Sequence, residues 1–342
     1  MVMLGDKMKT IIVTGSSGFI GYSLTKRLLE DKNIKVIGID NMNGYYDVDL
    51  KYHRLNDLKK NNNFSFYDYD LEDIEDLDSV FKKNKPEIVV NLAGRAGVRA
   101  SNENKRAYIN TNVIGFYNIL ELSSKYKIKH LIFASSSSVY GDNLDVPYKE
   151  ETNTDEPVSI YAATKKCDEV FAYTYSKLNS LNITGLRLFT VYGPYGRPDM
   201  AYFSFTNKLL NKEKIEVYNN GNLRRDFTYI DDVVESIIRI IDNKPKNKYN
   251  IYNIGNEHPH YLLDFINILK DALIKEGLLE KDFNIDNYLE YVDMQKGDVY
   301  ETYSDTSKFY KDYNYKPKVS LDKGLEEFAK WYKTYYMKDK NE

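Results

Sequence analysis

The run Thr10-Ile-Ile-Val-Thr14 leads directly into Gly15-Ser-Ser-Gly-Phe-Ile-Gly21 and then into a helical pattern holding Leu24, Leu28 and Leu29. No other feature constrains the fold as tightly. A β-branched strand that ends in a glycine turn and opens a helix lets the backbone approach a pyrophosphate, and the helix N-terminus presents oriented N–H donors to the anion. Three glycines alone are weak, because glycine turns also serve packing. Here the context adds to them: a second strand, Ile34-Lys-Val-Ile-Gly-Ile39, ends on Asp40, where a carboxylate accepts hydrogen bonds from an adenosine ribose. Asp40 repels a 2′-phosphate, and no Lys or Arg follows immediately to attract one, so NAD is expected over NADP.

Further strand patterns recur at 64–69, 87–92, 130–134 and 184–189, with helical patterns between them. That spacing builds βαβ units. Right-handed crossovers then give at least six parallel strands with helices on both faces, an α/β, doubly wound, Rossmann-like sheet. After Phe189 the pattern becomes irregular, with Gly, Pro and Asn loops near 192–200 and 218–226 and helical patterns near 201–211 and 261–276. A helix from Tyr229 to Ile241 and the strand Tyr249–Ile254 return the chain to the sheet. The expected division is 1–189 and 227–255 for the dinucleotide, with 190–226 and 256–342 forming a smaller mixed α/β substrate-binding cap. The end after Trp331 reads as a solvated helix end and frayed tail.

Forty-eight Lys and Arg stand against 51 Asp and Glu, a net charge of -3 over 342 residues, so neither nucleic acid nor an anionic membrane is an expected partner. The single Cys167 supports no intrachain disulfide and suits a reducing cytoplasm. The start Met1–Met8 is too short for a signal peptide, and no apolar run approaches the roughly 20 residues that span a bilayer. The 32 Tyr are scattered along the chain and carry no functional weight as a class.

Strand 130–134 leads into Ser135-Ser-Ser-Ser138, and Tyr161-Ala-Ala-Thr-Lys165 follows. Positions i and i+4 share a helix face, so Lys165 can place its charge near the Tyr161 ring and favour the phenolate. Such a tyrosinate can take the proton of a substrate alcohol while hydride leaves the same carbon for a dinucleotide. In a chain this rich in Tyr and Lys the pair alone is an accident. Behind a glycine turn on the first strand and serines at the end of the fifth, where open α/β sheets bind ligands, it is not.

Together these residues resemble the extended short-chain dehydrogenase/reductase superfamily, and within it the NAD-dependent nucleotide-sugar epimerases and dehydratases. The resemblance runs from Lys9 to about Leu325 and includes Asp40–Asp47, Ala96–Arg99, Ala134–Gly141, Tyr161–Lys166, Phe189–Pro194, Gly196–Ala201, Arg225–Asp232 and Met294–Val299. It implies reversible oxidation at carbon 4 of a UDP-sugar, rotation of the 4-keto sugar and re-reduction, with UDP-glucuronate as the expected substrate. It also implies a homodimer formed through helices flanking the sheet. The catalytic residues it implies are Tyr161, Lys165 and Ser136. Its NAD contacts are Gly15, Gly18, Phe19, Ile20, Gly21, Asp40, Asn41, Asp70, Leu71, Leu92, Ala93 and Asn112, besides Tyr161 and Lys165.

On the substrate side the resemblance implies Ser136, Ser137, Ser138, Thr190, Arg225 and Asp298. Related 4,6-dehydratases carry Asp and Glu where this chain has Ser137 and Ser138, and related decarboxylases carry Glu at the second position. Two hydroxyls do not replace an acid and a base, so epimerisation is expected. Read without the resemblance, Arg225 serves equally well as a surface ion-pair partner, and Gln295 stands where some relatives carry arginine.

A uronate carboxylate needs a cation or several donors when buried. Arg197 is the first candidate and Arg99 the second, the alternative being that Arg197 fixes its own loop or clamps a diphosphate. No metal is expected: His258 and His260 lack further ligands nearby, and Asp231-Asp232 suits the first turn of a helix. The competing readings are a 4-epimerase for UDP-glucose/UDP-galactose or their N-acetylated forms, and a non-catalytic dinucleotide-binding protein of the same fold.

Overall fold

The computed structural model describes residues 8–295 and 297–337. The expected ends, Met1 to Lys7 and the last five residues of the tail, lie outside the described residues, as does Lys296 within the 294–299 segment.

The first half alternates β1 (Lys9–Thr14), α1 (Phe19–Leu28), β2 (Ile34–Asp40), α2 (Val48–Leu58), β3 (Phe64–Asp68), α3 (Ile74–Asn84) and β4 (Ile88–Asn91). Two short helices, α4 (Val98–Glu103) and α5 (Lys105–Tyr108), lead through a π-helical turn at Ile109–Ile114 into α6 (Gly115–Lys125). Then come β5 (His130–Ser136), a 3₁₀ turn at Ser137–Tyr140, α7 (Ile160–Asn179), β6 (Ile183–Leu188), β7 (Thr190–Tyr192), α8 (Ala201–Leu210), β8 (Ile215–Tyr218), β9 (Arg224–Tyr229), α9 (Ile230–Asp242) and β10 (Tyr249–Ile254). The chain ends with β11 (Pro259–Tyr261), α10 (Leu262–Lys275), β12 (Leu289–Val292), α11 (Ser307–Tyr313) and α12 (Leu321–Tyr336).

Seven parallel strands form the main sheet in the order β3-β2-β1-β4-β5-β6-β10. Both faces are covered, as all-parallel sheets require. Alternation along one strand shows how: Ile11 and Val13 of β1 pack with Leu24, Leu28 and Ile237 on one face, while Ile12 between them packs with Leu77, Phe81 and Ile119 on the other. The order reverses between β1 and β4, so a crevice opens at their carboxyl ends, where ligands of such sheets bind.

Beyond β6 the chain builds two small sheets. Strand β9 lies between β7, parallel to it, and antiparallel β11, while β8 pairs with β12 in parallel. Strands of three or four residues carry no period long enough to read in advance. The expected 226/227 boundary falls inside β9, which runs without interruption into α9.

The stretch after Trp331 departs from expectation. It continues α12 to Tyr336, and Tyr332 is buried. Trp331 stacks on Tyr335 and meets Tyr195, while Tyr335 packs edge-on against His53 of α2. Aromatic area here closes the C-terminal helix onto the first half of the chain, which a polar reading of its lysines did not anticipate.

Candidate functional site

The glycine turn is held by its own backbone. The Gly15 N–H donates to the Ile39 carbonyl at 2.7 Å and Gly18 N–H to the Gly15 carbonyl at 2.9 Å. Gly15 sits at φ +67°, and a Cβ there would lie 2.8 Å from Ala93 N, so β1 and β4 close together only around a glycine. At Gly21 a Cβ would stand 2.0 Å from the Gly15 carbonyl oxygen. Gly18 is the N-cap of α1 and no side chain bonds to that end, which leaves helical N–H groups free for an anion. Phe19 is buried and Ile20 packs against the same core, both in the first turn of α1.

Asp40 accepts from Ser17 N–H at 3.1 Å and from Met42 N–H at 3.1 Å, so this carboxylate is built into the glycine turn itself. The fold also brings a cation that sequence distance hid: Lys51 Nζ lies 3.7 Å from Asp40 Oδ1, with both side chains buried. Burial holds the Lys51 ammonium below the ordinary lysine range, against the pull of Asp40. Asn41 donates to Asp70 Oδ2 at 2.7 Å, tying the ends of β2 and β3. Leu71 is buried against Gly115, and Leu92 and Ala93 follow β4 beside the turn, where Ala93 N–H donates to Thr14 Oγ1 at 3.1 Å. This glycine cradle, the uncapped helix end and the Asp40 carboxylate fit a dinucleotide.

Asn112 lies in the π-helical turn, a local geometry frequent at functional sites. Its side chain accepts from Arg95 N–H at 2.7 Å and donates to the Arg95 carbonyl and to Thr164 Oγ1, both at 3.0 Å. Asn112 therefore clasps the loop after β4 to α7. At Gly94 a Cβ would lie 3.4 Å from Lys165 Nζ, so this clasp also closes on the lysine.

Helix α7 begins at Ile160, capped by Ser159, whose hydroxyl accepts from Ala162 N–H at 3.1 Å. Tyr161 stands in its first turn with its ring edge-on to Tyr108. Lys165, one turn on, is buried and donates to the Ala134 carbonyl of β5 at 3.0 Å. Ser136 ends β5 and accepts from Ser138 N–H at 3.1 Å, which folds Ser137 and Ser138 into a 3₁₀ turn where both remain half-buried. Beneath them Glu169 takes Arg187 of β6 in a buried bidentate pair, at 2.9 and 2.8 Å, and the Ser135 hydroxyl at 2.6 Å.

The cap-side residues are drawn together in part. Arg225 of β9 and Asp298 pair at 2.6 Å, 73 positions apart in sequence. Thr190 opens β7, half-buried. The Arg197 guanidinium is bidentate to Asp199, two positions on, at 2.9 and 2.5 Å, and lies over the Tyr45 ring. That pairing lifts the guanidinium still further above its ordinary range, although burial opposes it. Arg99 is exposed on α4, with its guanidinium 4.5 Å over the ring of Tyr218. Asp232 lies in the first turn of α9 and takes the Tyr315 hydroxyl and the Lys318 and Val319 N–H groups. Among the described residues no cluster of three His, Cys, Asp or Glu could hold a metal ion.

Sequence reasoning passed over Arg54 altogether. Fully buried, it donates to the Ser17 carbonyl of the glycine turn at 3.0 Å, to Tyr46 Oη at 2.8 Å, and to the Tyr195 and Gly196 carbonyls at 2.5 and 3.2 Å. A guanidinium with five donors is the side chain that can satisfy so many carbonyls at once.

The model of the NAD dependent epimerase/dehydratase family matches residues 11–255. The chain is 46% identical to Protein CapI of Staphylococcus aureus, over 96% of this chain and 99% of that one. It is 40% identical to UDP-glucuronate 4-epimerase of Thermodesulfobacterium geofontis, over 94% and 95%. Its fold is similar to the crystal structure of UDP-glucuronic acid 4-epimerase from Bacillus cereus in complex with UDP-glucuronic acid and NAD, with a TM-score of 0.87 at 31% identity, over 96% of this chain and all of that one.

Proposed function

The chain belongs to the NAD dependent epimerase/dehydratase family, and from that premise we propose that it is the enzyme that interconverts UDP-glucuronate and UDP-galacturonate. The observation that carries this reading is the end-to-end likeness to UDP-glucuronate 4-epimerases in both sequence and fold. Serines rather than carboxylates in the turn after β5 support epimerisation over elimination.

In this reading bound NAD supplies the acceptor and donor of hydride. Tyr161 removes the proton from the 4-hydroxyl and returns it after the 4-keto sugar has turned, so no net redox change results. Lys165 supplies the positive charge that favours the phenolate, and Ser136 orients the hydroxyl. Ser137, Ser138 and Thr190 face the sugar, Arg225 and Asp298 hold the diphosphate and nucleoside ribose, and the carboxylate is received by Arg197 as first candidate, with Arg99 as the second. Gly15, Gly18 and Gly21 cradle the pyrophosphate, Asp40 and Asn41 the adenosine ribose, and Asp70, Leu71, Leu92, Ala93 and Asn112 complete the cofactor side.

We divide the chain into a dinucleotide half carrying the seven-stranded sheet and a cap carrying the two small sheets, with β9 and α9 shared between them. The enzyme works as a homodimer: exposed Ile114 precedes α6, exposed Tyr117 stands on it, and exposed Val170 and Tyr173 stand on α7, offering an apolar face beside the sheet. It works in the cytoplasm. Among the described residues no helix is long and apolar enough to cross a membrane.

One observation favours a second reading, a 4-epimerase for neutral UDP-hexoses: Arg197 is already paired with Asp199. The deciding experiment incubates purified protein, without added cofactor, with UDP-glucuronate, UDP-galacturonate, UDP-glucose and UDP-galactose side by side and separates the epimers. Turnover confined to the uronates supports the first reading; turnover of the hexoses at equal rate removes it.

A further inference from the structure

Helix α7 carries, one turn beyond the Tyr161/Lys165 pair, a carboxyl group with no part in the reaction as described. Asp168 is 1% exposed. Its Oδ2 lies 3.4 Å from Lys165 Nζ, and its Oδ1 has no hydrogen-bond partner among the described residues. The charged groups acting on it are Lys165 and Glu169. Glu169 is already matched by Arg187 of β6 and bonded by Ser135 of β5, so among the described residues Lys165 is the neighbour with charge to share. Burial pushes the Asp168 carboxyl up to about 7, against the pull of the lysine.

A buried carboxyl with one oxygen unpartnered is costly, and a neutral side chain of similar shape avoids that cost. Lys165 has three N–H donors. One goes to the Ala134 carbonyl and one to Asp168, leaving a single donor unassigned among the described residues.

We infer that Asp168 is a positioning residue of the Tyr161/Lys165 pair: it holds the Lys165 ammonium against β5 and, by keeping or losing its own proton, sets how much positive charge reaches Tyr161. The inference rests on Tyr161 being the base. With Asp168 protonated, the ammonium acts undivided and favours the phenolate. With Asp168 ionised, the carboxylate shares the cation and the phenol holds its proton more tightly.

The test is kcat against pH for the NAD-loaded enzyme on UDP-glucuronate, wild type beside Asp168→Asn, with tyrosinate followed in each by ultraviolet difference absorbance. Asparagine keeps the shape without the charge. Tyrosinate formation and the acid limb of kcat both move to lower pH by about one unit, the shift that a single nearby charge imposes. An unmoved limb, or a uniform fall in kcat without a shift, overturns the role. Infrared difference spectra of the wild type across neutrality need no variant: a carboxylic-acid carbonyl band that disappears as pH rises supports the inference, and its absence overturns it. Full activity in Tyr161→Phe removes the reading beneath. An inactive Tyr161→Phe beside an unmoved Asp168→Asn profile removes only Asp168.

Discussion

Arg54 Nη2 donates to the Tyr195 carbonyl oxygen at 2.5 Å and so ties α2 to the loop that carries Arg197. The same guanidinium holds the Ser17 carbonyl of the glycine turn. One buried cation therefore joins the glycine turn to the loop at Tyr195 and Gly196.

Arg54→Met takes that donor from three buried carbonyls and the Tyr46 hydroxyl. Urea unfolding is expected to show a loss of about 3 kcal/mol, the scale of a few buried acceptors left short of a partner. The KM for UDP-glucuronate rises as the Arg197 loop loosens. An unchanged unfolding midpoint and KM would mean that the guanidinium is dispensable there.

Gly21→Ala forces a methyl toward the Gly15 carbonyl, where a Cβ would stand 2.0 Å from a backbone oxygen with nowhere to go. The purified variant should retain NAD at least about tenfold more weakly, 1.4 kcal/mol in binding. Gly44→Ala is the control, because its nearest neighbour would be 3.9 Å from the added carbon. The measurement is nucleotide released on denaturing equal amounts of each protein.

Arg197 is bidentate to Asp199, so a uronate carboxylate must take the place of an internal one. Arg197→Ala should raise the KM for UDP-glucuronate by about tenfold or more, the loss of a hydrogen bond to a charged group, and leave UDP-glucose unaffected. Asp199→Asn should lower that KM by releasing the guanidinium. Equal changes on every sugar would show that Arg197 only fixes its own loop.

His130 is buried at the start of β5, with Nε2 at 2.8 Å from Thr184 Oγ1, and burial pushes its imidazole down to about 4. A base with a depressed folded value binds its proton first in the unfolded chain. Its contribution is therefore complete above the ordinary histidine value and is lost as pH falls from 6.5 towards 4. That window is worth up to about 3 kcal/mol. His130→Gln should flatten unfolding free energy against pH across it; a slope identical to the wild type would exclude the imidazole as its source.

The main sheet was legible because its signals are local. Apolar β-branched runs, turn glycines and helical spacing each act within a few residues, so β1, β2, β5, β6 and β10 emerge within one or two residues of the patterns that announce them. The same locality put Tyr161 and Lys165 on one face of α7. Lys51, Arg54 and Asp168 were not legible, because what matters about each is a partner chosen by the fold: a carboxylate eleven positions away, a carbonyl 141 positions away, a lysine in a dry environment. The C-terminal aromatics stayed hidden for a compositional reason. In a chain with 32 tyrosines, the few that pack with Trp331 look like all the others.

Strand β9 belongs to the small sheet with β7 and β11, while α9, which follows without a break, packs its Ile237 with the β1 and α1 core. Strand and helix act as a continuous strut through both halves. The two small sheets draw their strands from both sides of α9 in the sequence, so no single continuous peptide carries them without this strut.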